Sequence, residues 1–396
     1  MDVIKRGVSE IIPEEDLVRK LERSIKTNEP IRAKLGCDPS RPDLHLGHSV
    51  VLRKLRQFQD IGHQAILIIG DFTGMIGDPS GKSKTRPSLT IEETRRNGQS
   101  YFEQATKILS AKNVRMEYNS EWLGKMSFAD VVVLAGKYTV ARMLERDDFT
   151  DRYKAGEPIS VHEFLYPLAQ AMDSVAIKAD IELGGTDQKF NLLVGRDIQR
   201  EYGQEPQAIL TMPILVGTDG TEKMSKSLDN YIGISESPKD IYGKTLRIPD
   251  SLIYPYFELA SDVSNRELAE IKQQLGSGIN PRDIKRKLAR DLVRLYYNPE
   301  AAAKAEEEFD RIFIQKDLPD EVQEFRLNVQ NGESTVLNAL TATHLASSKS
   351  EARRLIEQGG VSVDGVKVTD FNAALPAKGE FILKVGKRKF LKIIRQ

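Results

Sequence analysis

Two histidines three positions apart, His45 and His48, are the first side chains in the sequence whose types and spacing suggest chemistry. They stand on either side of Gly47, at the predicted start of a helix that follows a loop broken by two prolines. The free backbone N–H groups and the dipole of a helix start attract phosphate, and residues three positions apart share one helix face. Residues 35–49 therefore predict a phosphate site flanked by two imidazoles, beside space that Gly47 leaves for a base or a ribose.

A second candidate for phosphate binding lies far downstream, where Lys223 and Lys226 occur in the sequence Glu-Lys-Met-Ser-Lys-Ser. Glycines flank this stretch, and two lysines on a glycine-hinged loop suit a mobile clamp on a polyphosphate leaving group. Each stretch alone has a simpler interpretation, the first as an ordinary proline-rich loop and the second as a solvated turn. A metal site at His45 and His48 is disfavoured because no third ligand lies nearby in the sequence and the chain has one cysteine.

Residues 74–83 form a third candidate loop, which ends in Gly-Lys-Ser as a Walker A motif does. That motif also needs a glycine five positions before Gly81, where this chain has Ile76. In addition, Pro79 lacks the backbone N–H that a phosphate cradle uses. We therefore exclude a Walker A site, and a basic surface loop is the alternative to a role beside the histidines.

The elements that must position these residues are predicted to form a parallel sheet. Alternating apolar residues over 31–37 indicate a strand, and the apolar pattern after Leu44 indicates a helix. The continuous apolar run over 65–70 is typical of a strand buried on both faces. Strand, helix and strand at this spacing are a βαβ unit of a doubly wound sheet, in which ligands bind at the carboxyl ends of the strands.

A predicted helix over 161–178 carries a different kind of candidate site. Tyr166, Gln170 and Asp173 share one face of this helix, while apolar residues between them occupy another. The polar face indicates a pocket, although a solvated helix face would show the same pattern. The strand predicted at 180–183 ends in a Gly-Gly-Thr-Asp-Gln turn, and another helix is predicted after it. This turn repeats the strand, loop and helix order of residues 35–49, although it could serve only as a backbone turn.

Composition limits the possible classes of protein. The 396 residues predict two or three domains, and 40% apolar with 29% charged residues is ordinary globular usage. The formal net charge of zero argues against attraction of nucleic acid by the whole surface, so any RNA contact must use local basic patches. One cysteine excludes a disulfide framework and fits a reducing cytosol. We expect a cytoplasmic protein without a membrane partner, because there is no apolar run of membrane length and no signal peptide.

The chain is predicted to divide where its composition changes. Residues 1–232 carry the α/β pattern, residues 233–314 are helical, and the polar residues 315–334 are typical of a linker. Residues 335–396 are predicted as a small α+β module with a serine-capped helix and a hairpin that turns at Asp364-Gly365. This module is basic, although a solvated lysine-rich tail is an alternative interpretation.

The motifs His-Leu-Gly-His and Lys-Met-Ser-Lys-Ser, in that order, closely resemble the two signatures of class I aminoacyl-tRNA synthetases. The resemblance covers the whole chain and is closest to the bacterial tyrosine-specific branch. It implies a Rossmann-like doubly wound catalytic domain, a helical domain and an RNA-binding module of the S4 type. It also implies an insertion at about residues 119–160 that carries a homodimer interface. The implied reaction joins tyrosine to tRNA(Tyr) through tyrosyl-adenylate, with ATP as a substrate together with Mg²⁺, and with no structural metal.

The resemblance also implies roles for individual residues. The catalytic contacts to the polyphosphate are His45, His48, Lys82, Arg86, Lys223 and Lys226. The contacts to ATP include Gly36, Asp38, Gly47, Gly185 and Asp187, together with His48 and Lys226. The tyrosine pocket consists of Asp78, Tyr166 and Gln170 at the ammonium, Asp173 at the phenol hydroxyl, and Gln188 near the carboxylate. The contacts to RNA are Lys349, Arg353, Arg354, Lys387, Arg388 and Lys389.

The sequence departs from the family at one position of the pocket. Many members have a tyrosine in the first strand as a second partner of the phenol, whereas this chain has Lys34 there, so that partner is unassigned. Three alternative functions remain open from the sequence. They are specificity for tryptophan, RNA binding without catalysis, and nucleotidyl transfer to a small metabolite.

Overall fold

A computed structural model describes residues 1–39, 43–79, 90–315, 323–327, 335–376, 379–386 and 389–395. The chain forms two compact units, Met1–Ala302 and Ala303–Gln396. Four candidate site residues lie outside the described residues: Lys82, Arg86, Lys387 and Arg388. No helix of the described ranges combines the length and the apolar character needed to cross a bilayer.

A six-stranded sheet forms the centre of the first unit. Its strands are β1 (Glu10–Ile12), β2 (Arg32–Cys37), β3 (Gln64–Ile69), β4 (Val114–Tyr118), β5 (Ile181–Gly185) and β6 (Ala208–Met212). The strand order is β1-β6-β5-β2-β3-β4, and only the β1–β6 pair is antiparallel among these neighbours. The chain runs outward from β2 to β4 and then, in the opposite direction, from β5 to β6. The switch point between β2 and β5 confirms the predicted doubly wound sheet.

The continuous apolar run of β3 is buried as predicted, because residues 65–69 have no exposed surface. Strand β1 was not predicted. It has three residues at the sheet edge, one exposed and two partly buried, which is too short for an alternating pattern to be recognised. It lies antiparallel to β6, as edge strands added to parallel sheets often do.

Helices surround the sheet and continue along the chain past Ala302, where the first unit ends. They are α1 (Asp2–Lys5), α2 (Glu14–Thr27), α3 (Leu46–Asp60), α4 (Thr73–Ile76), α5 (Ile91–Ala105), α6 (Ser120–Leu123), α7 (Phe128–Ala135), α8 (Val140–Met143), α9 (Asp147–Ala155), α10 (Val161–Ile177), α11 (Lys189–Glu201), α12 (Pro238–Thr245), α13 (Ile253–Ala260), α14 (Asn265–Gly276), α15 (Pro281–Tyr296) and α16 (Pro299–Asp310). The insertion expected at about 119–160 contains α6 to α9, between the two halves of the sheet.

The second unit is a small α+β domain. Its elements are β7 (Gln323–Leu327), α17 (Val336–Ala342), α18 (Lys349–Glu357), β8 (Val361–Val363), β9 (Val366–Lys367), β10 (Gly379–Val385) and β11 (Lys389–Arg395). The strand order is β7-β11-β10-β8-β9. The predicted hairpin is present, with Asp364 and Gly365 at φ angles of 46° and 79° between β8 and β9. Positive φ at both positions is the conformation of a type I′ turn.

The structure differs from the predicted linker at residues 323–327. These residues form β7, which pairs in parallel with β11. Phe325 is partly buried and Leu327 is 2% exposed, whereas Glu324 and Arg326 are exposed. This alternation was visible in the sequence, but it extends over only five residues. The polar residues on both sides of it are typical of a linker, so the strand was not recognised.

Candidate active site

A cleft of about 740 Å³ lies at the carboxyl ends of the central strands of the first unit. Its walls come from the ends of β2, β3 and β5, the start of α3, the middle of α10 and the segment after β6. The cleft brings together fourteen residues that the sequence analysis assigned to small-molecule contacts: Gly36, Asp38, His45, Gly47, His48, Asp78, Tyr166, Gln170, Asp173, Gly185, Asp187, Gln188, Lys223 and Lys226.

The two histidines form the cap of helix α3. The Nδ1 atom of His45 accepts the backbone N–H of Gly47 at 3.1 Å, and the Nδ1 atom of His48 accepts the backbone N–H of His45 at 3.3 Å. In a neutral imidazole one nitrogen accepts and the other carries the proton. The proton of each ring is therefore on Nε2, and each histidine presents one N–H donor.

Both histidines are neutral at physiological pH. Burial lowers the pKa of His45 to about 2, with further contributions from His48 and Lys226. Burial, aided by the charge of Lys226, lowers the pKa of His48 to about 4. Their ring centroids are 3.9 Å apart, so two positive imidazoles would repel each other. The pair is thus suited to donate hydrogen bonds to an anion rather than to transfer a proton.

Gly47 is required by its surroundings. A Cβ atom at this position would lie 2.9 Å from Cε1 of His45, closer than such atoms approach in folded proteins. At Gly36, in contrast, a Cβ atom would meet nothing within 4 Å, so the cleft is open beside that backbone. A side chain at Gly47 would therefore displace His45, which caps the helix.

The lysine segment is attached to the start of α3 by backbone hydrogen bonds. The N–H of Leu46 donates to the carbonyl of Ile232 at 2.9 Å, and the N–H of Ile234 donates to the carbonyl of Leu44 at 3.1 Å. These bonds hold the residues that follow the lysines against the histidine cap. Two stretches separated by more than 170 positions in the sequence thus line one cleft.

Lys226 has two partners within the described residues. Its Nζ atom lies 2.5 Å from a carboxylate oxygen of Asp43 and 5.6 Å from the centre of the Tyr231 ring. The side chain of Lys226 is 14% exposed and that of Asp43 is 62% exposed. An anion that enters the cleft must therefore compete with a solvent-exposed carboxylate for this ammonium.

Polar groups at the other side of the cleft form two sets of contacts, one around Asp38 and one around Asp78. The hydroxyl of Tyr166 donates to Oδ2 of Asp38 at 2.8 Å. The amide nitrogen of Gln188 donates to Oδ2 of Asp78 at 2.9 Å, and the guanidinium of Arg146 lies 3.6 Å from the other oxygen of Asp78. Burial raises the pKa of Tyr166 well above its usual value, aided by the charge of Asp38. The Tyr166 hydroxyl therefore keeps its proton, which is directed at Asp38.

Asp173 is 3% exposed and accepts hydrogen bonds from two residues that the sequence analysis did not predict. The indole N–H of Trp122 donates to Oδ1 at 2.9 Å, and the amide of Asn119 donates to Oδ2 at 3.5 Å. Burial raises the pKa of Asp173 to about 7, against the opposing charge of Lys34. Asn119 and Trp122 follow directly after β4, and the rule that ligands lie at the carboxyl ends of strands could have indicated them.

Lys34 lies under the cleft and is fully buried. Its Nζ atom is 2.8 Å from Oε1 of Glu182 and 2.9 Å from the hydroxyl oxygen of Ser174. The ammonium is thus engaged by the protein itself. Neither Glu182 nor Ser174 was singled out by the sequence analysis, because a carboxylate inside an otherwise apolar strand does not follow the pattern of buried strands.

Four of the six basic residues predicted for RNA binding are described, and all four are in the second unit. Lys349, Arg353 and Arg354 are exposed on α18, and Lys389 is exposed at the start of β11. The guanidinium of Arg353 lies 5.1 Å from the ring centre of Phe371. Across the described residues of both units, no group of three or more His, Cys, Asp or Glu side chains could hold a metal ion.

Comparisons with known proteins cover nearly the whole chain. A family model described as "tRNA synthetases class I (W and Y)" matches residues 26–314, and one described as "Tyrosine--tRNA ligase SYY-like C-terminal domain" matches residues 314–393. The tyrosine–tRNA ligase of Salinibacter ruber is 56% identical over 396 residues, which cover 99% of this chain and 96% of that protein. The tyrosine–tRNA ligase of Chlorobium chlorochromatii is 58% identical over 394 residues, which cover 99% of this chain and 97% of that protein.

A solved structure gives the same result at lower identity. The crystal structure of tyrosyl-tRNA synthetase complexed with L-tyrosine from Archaeoglobus fulgidus is 25% identical, with a TM-score of 0.62. The similarity covers 76% of this chain and 97% of that chain.

Proposed function

The chain belongs to the tyrosine–tRNA ligases of the class I tRNA synthetases, and from this membership we propose which residues carry each part of the reaction. The enzyme activates tyrosine with ATP and transfers the tyrosyl group to tRNA. The three alternative functions are set aside, since relatives named as tyrosine–tRNA ligases match at 51% to 58% identity over nearly the full length.

The observation that carries the assignment is the meeting of two sets of residues in one cleft. One set contains the neutral histidine donors and the lysines, and the other is the polar face of α10. The two sets are far apart in the sequence but line the same cleft. The carboxylate of free tyrosine is already ionised and can attack the α-phosphorus of ATP without a base. Catalysis then requires that the reactants be positioned and that charge developing on pyrophosphate be stabilised.

At the ATP end, the Nε2–H groups of His45 and His48 donate to phosphate oxygens, while Lys223 and Lys226 supply positive charge. Lys82 and Arg86, outside the described residues, are assigned to the same polyphosphate. The nucleoside lies against Gly36, Gly47 and Gly185, with Asp38 and Asp187 at its polar groups. Mg²⁺ enters as part of the Mg·ATP substrate.

At the tyrosine end, three groups accept the ammonium of the substrate. The hydroxyl of Tyr166 directs its proton to Asp38, which leaves oxygen lone pairs for the ammonium. The amide nitrogen of Gln170 donates to Glu182 at 3.2 Å, which leaves its carbonyl oxygen as the acceptor. Asp78 supplies the negative charge. Asp173 accepts the phenol hydroxyl, and Gln188 lies near the carboxylate.

We further propose that the enzyme is a homodimer that associates through α7 and α8. Four apolar side chains of this surface are strongly exposed: Phe128 at 83%, Val132 at 57%, Val133 at 60% and Val140 at 62%. Phe128 and Val132 lie one turn apart on α7, and an exposed apolar patch of this kind is typical of an interface. Two identical chains can bury the same apolar patch against each other about a twofold axis.

The remaining parts of the proposal concern domains, tRNA and location. A catalytic domain over residues 1–232 precedes a helical domain over 233–314, and the RNA-binding unit after them includes β7. The exposed cations of that unit, Lys349, Arg353, Arg354 and Lys389, bind tRNA phosphates together with Lys387 and Arg388. We also propose a cytoplasmic location, with which a single free cysteine is consistent.

Two variants test the residue assignment by separating the two ends of the cleft. Trp122 is the only tryptophan in the chain and donates to Asp173, so its fluorescence reports tyrosine binding. Gln170→Ala should weaken tyrosine binding at least about tenfold, since it removes a hydrogen bond to a charged group, and should leave the KM for ATP unchanged. Lys223→Ala should raise the KM for ATP and leave tyrosine binding unchanged.

Lys239→Ala is the matched control, since Lys239 is exposed on α12 and does not line the cleft. It should change neither value. If Gln170→Ala altered ATP binding alone, or if Lys223→Ala altered tyrosine binding alone, the assignment of the two ends would be reversed.

A further inference from the structure

A buried ion pair lies at the switch point of the sheet. Lys34 on β2 and Glu182 on β5 are direct partners across the two parallel strands, with their charged groups 2.8 Å apart. Their side chains are 0% and 1% exposed. Central strands of parallel sheets normally carry Val, Ile or Leu at such positions. An ion pair in this place is weak support for stability, because apolar residues of the same volume often stabilise a core as well or better.

The pair is hydrogen-bonded to the helix that carries the proposed tyrosine contacts. Lys34 donates to the hydroxyl oxygen of Ser174 at 2.9 Å and to the backbone carbonyl of Gln170 at 3.2 Å. Glu182 accepts from the Gln170 amide at 3.2 Å, from the Ser174 hydroxyl at 3.1 Å and from the Gln207 amide. Both charges are therefore connected to the turns of α10 on either side of Asp173.

Asp173 lies among neutral donors and these two charges. The groups that act on its carboxyl are the ammonium of Lys34 from β2, the carboxylate of Glu182 from β5, the indole of Trp122 from α6 and the amide of Asn119. On its own helix, the charge of Asp173 acts on the hydroxyl of Tyr166. Burial raises the pKa of Asp173, the charge of Lys34 lowers it, and the charge of Glu182 raises it further.

We propose that the Lys34–Glu182 pair is a positioning device that sets the charge of Asp173 for recognition of the phenol. Lys34 acts through space to keep Asp173 ionised, which allows this carboxylate to accept the phenol hydroxyl. Glu182 binds the ammonium of Lys34, so that Lys34 does not occupy the oxygen that the phenol needs. The inference rests on the role of Asp173 proposed above, and it gives Lys34 a function without direct contact to the ligand.

The test measures how tyrosine binding depends on pH between 5.5 and 8.5, by the fluorescence of Trp122. Lys34→Met should raise the apparent pKa of binding by about one, and Glu182→Gln should lower it by about one, since each removes one nearby charge. At pH 7, Lys34→Met should bind tyrosine about fivefold more weakly, because the ionised fraction of Asp173 falls from about one half to about one tenth. This difference should shrink as the pH rises to 8.5.

Two controls separate charge from structure. Ser174→Ala removes a hydrogen bond of both Lys34 and Glu182 without changing any charge, and it should leave the apparent pKa unchanged. Phenylalanine lacks the hydroxyl, so its binding should show no such pH dependence in any variant. Lys34→Met leaves the carboxylate of Glu182 without its cation, which could prevent folding. In that case the double variant Lys34→Met/Glu182→Gln, in which both charges are removed, replaces it. Its apparent pKa should lie between the values expected for the two single variants.

The opposite signs make the result decisive, since damage to the fold would move both variants in the same direction. Shifts of equal sign, or a shift in Ser174→Ala, would overturn the inference. The variant Asp173→Asn shows whether a negative result contradicts only the role of the Lys34–Glu182 pair or also the role of Asp173. If it abolishes the pH dependence while Lys34→Met and Glu182→Gln cause no shift, the inference is wrong and the role of Asp173 stands. If Asp173→Asn leaves the pH dependence unchanged, the phenol assignment fails and the inference fails with it.

Discussion

Replacement of Lys226 by alanine should slow formation of tyrosyl-adenylate and leave tyrosine binding unchanged. The charge of Lys226 acts on both histidines of the cap, which are assigned to the polyphosphate and not to tyrosine. Its only partners among the described residues are Asp43 and the ring of Tyr231. The free enzyme therefore holds this charge with a group that polyphosphate can replace.

The size of the effect follows from two opposing contributions. A preorganised donor to charge that develops in the transition state contributes about 2.7–4 kcal/mol, which corresponds to about 10²- to 10³-fold in rate. Displacement of Lys226 from Asp43 costs about 0.2–1 kcal/mol, since Asp43 is 62% exposed and surface ion pairs are weak. Catalysis dominates, so Lys226→Ala should lose about 10²-fold or more. Asp43→Asn should instead tighten ATP binding by up to about fivefold.

The assay is single-turnover formation of tyrosyl-adenylate, with tyrosine binding measured separately by Trp122 fluorescence. Lys226→Arg keeps the charge and should retain more of the rate than Lys226→Ala, while Lys239→Ala should behave as the unaltered enzyme. An unchanged rate in Lys226→Ala would remove this residue from the mechanism. A weaker affinity for ATP in Asp43→Asn would refute the view that Asp43 competes with the polyphosphate.

Three further predictions concern selectivity, pH and tRNA. Asp173→Asn should lower kcat/KM for tyrosine about 10- to 150-fold and leave kcat/KM for phenylalanine unchanged, because only tyrosine loses a hydrogen bond to a charged group. Equal losses for both amino acids would contradict the phenol assignment. The pKa of His48 in the folded protein is about 4, below its ordinary value of 6.5. Between these two pH values the unfolded chain binds more protons than the folded protein does. The free energy of unfolding should therefore fall as the pH drops from 6.5 to 4. In urea titrations, His48→Gln should remove up to about 1.4 kcal/mol per pH unit of that slope, whereas an unchanged slope would mean that His48 is not held neutral. Replacing Lys349, Arg353 and Arg354 by glutamine should weaken tRNA binding and reduce its salt dependence, by about one in the log–log slope for each lost phosphate contact, without affecting adenylate formation.

The sequence predicted the parts of the fold that have strong local patterns. The alternating pattern of β2, the helix pattern after it and the uninterrupted apolar run of β3 predicted the parallel sheet, and the resemblance to class I synthetases is confirmed by the family models. Short elements were missed because their patterns are weak. β1 has three residues at an edge, and β7 alternates over five residues inside a polar segment.

The candidate site was predictable where residues share one element, as Gln170 and Asp173 do on α10. Contacts between elements were not predictable in the same way. Trp122 and Asn119 reach Asp173 from the end of β4, and Glu182 pairs with Lys34 across two strands that are far apart in the chain. Such pairs depend on strand order and register, which local spacing does not determine.

The central claim, that this cleft selects and activates tyrosine, is tested most directly by amino-acid-dependent exchange of pyrophosphate with ATP across all standard amino acids. We expect exchange with tyrosine alone. Exchange with another amino acid at a comparable rate would contradict the assignment of Asp173, although the phosphate chemistry would stand. The absence of exchange with any amino acid would contradict the assignment of the histidines and lysines as well.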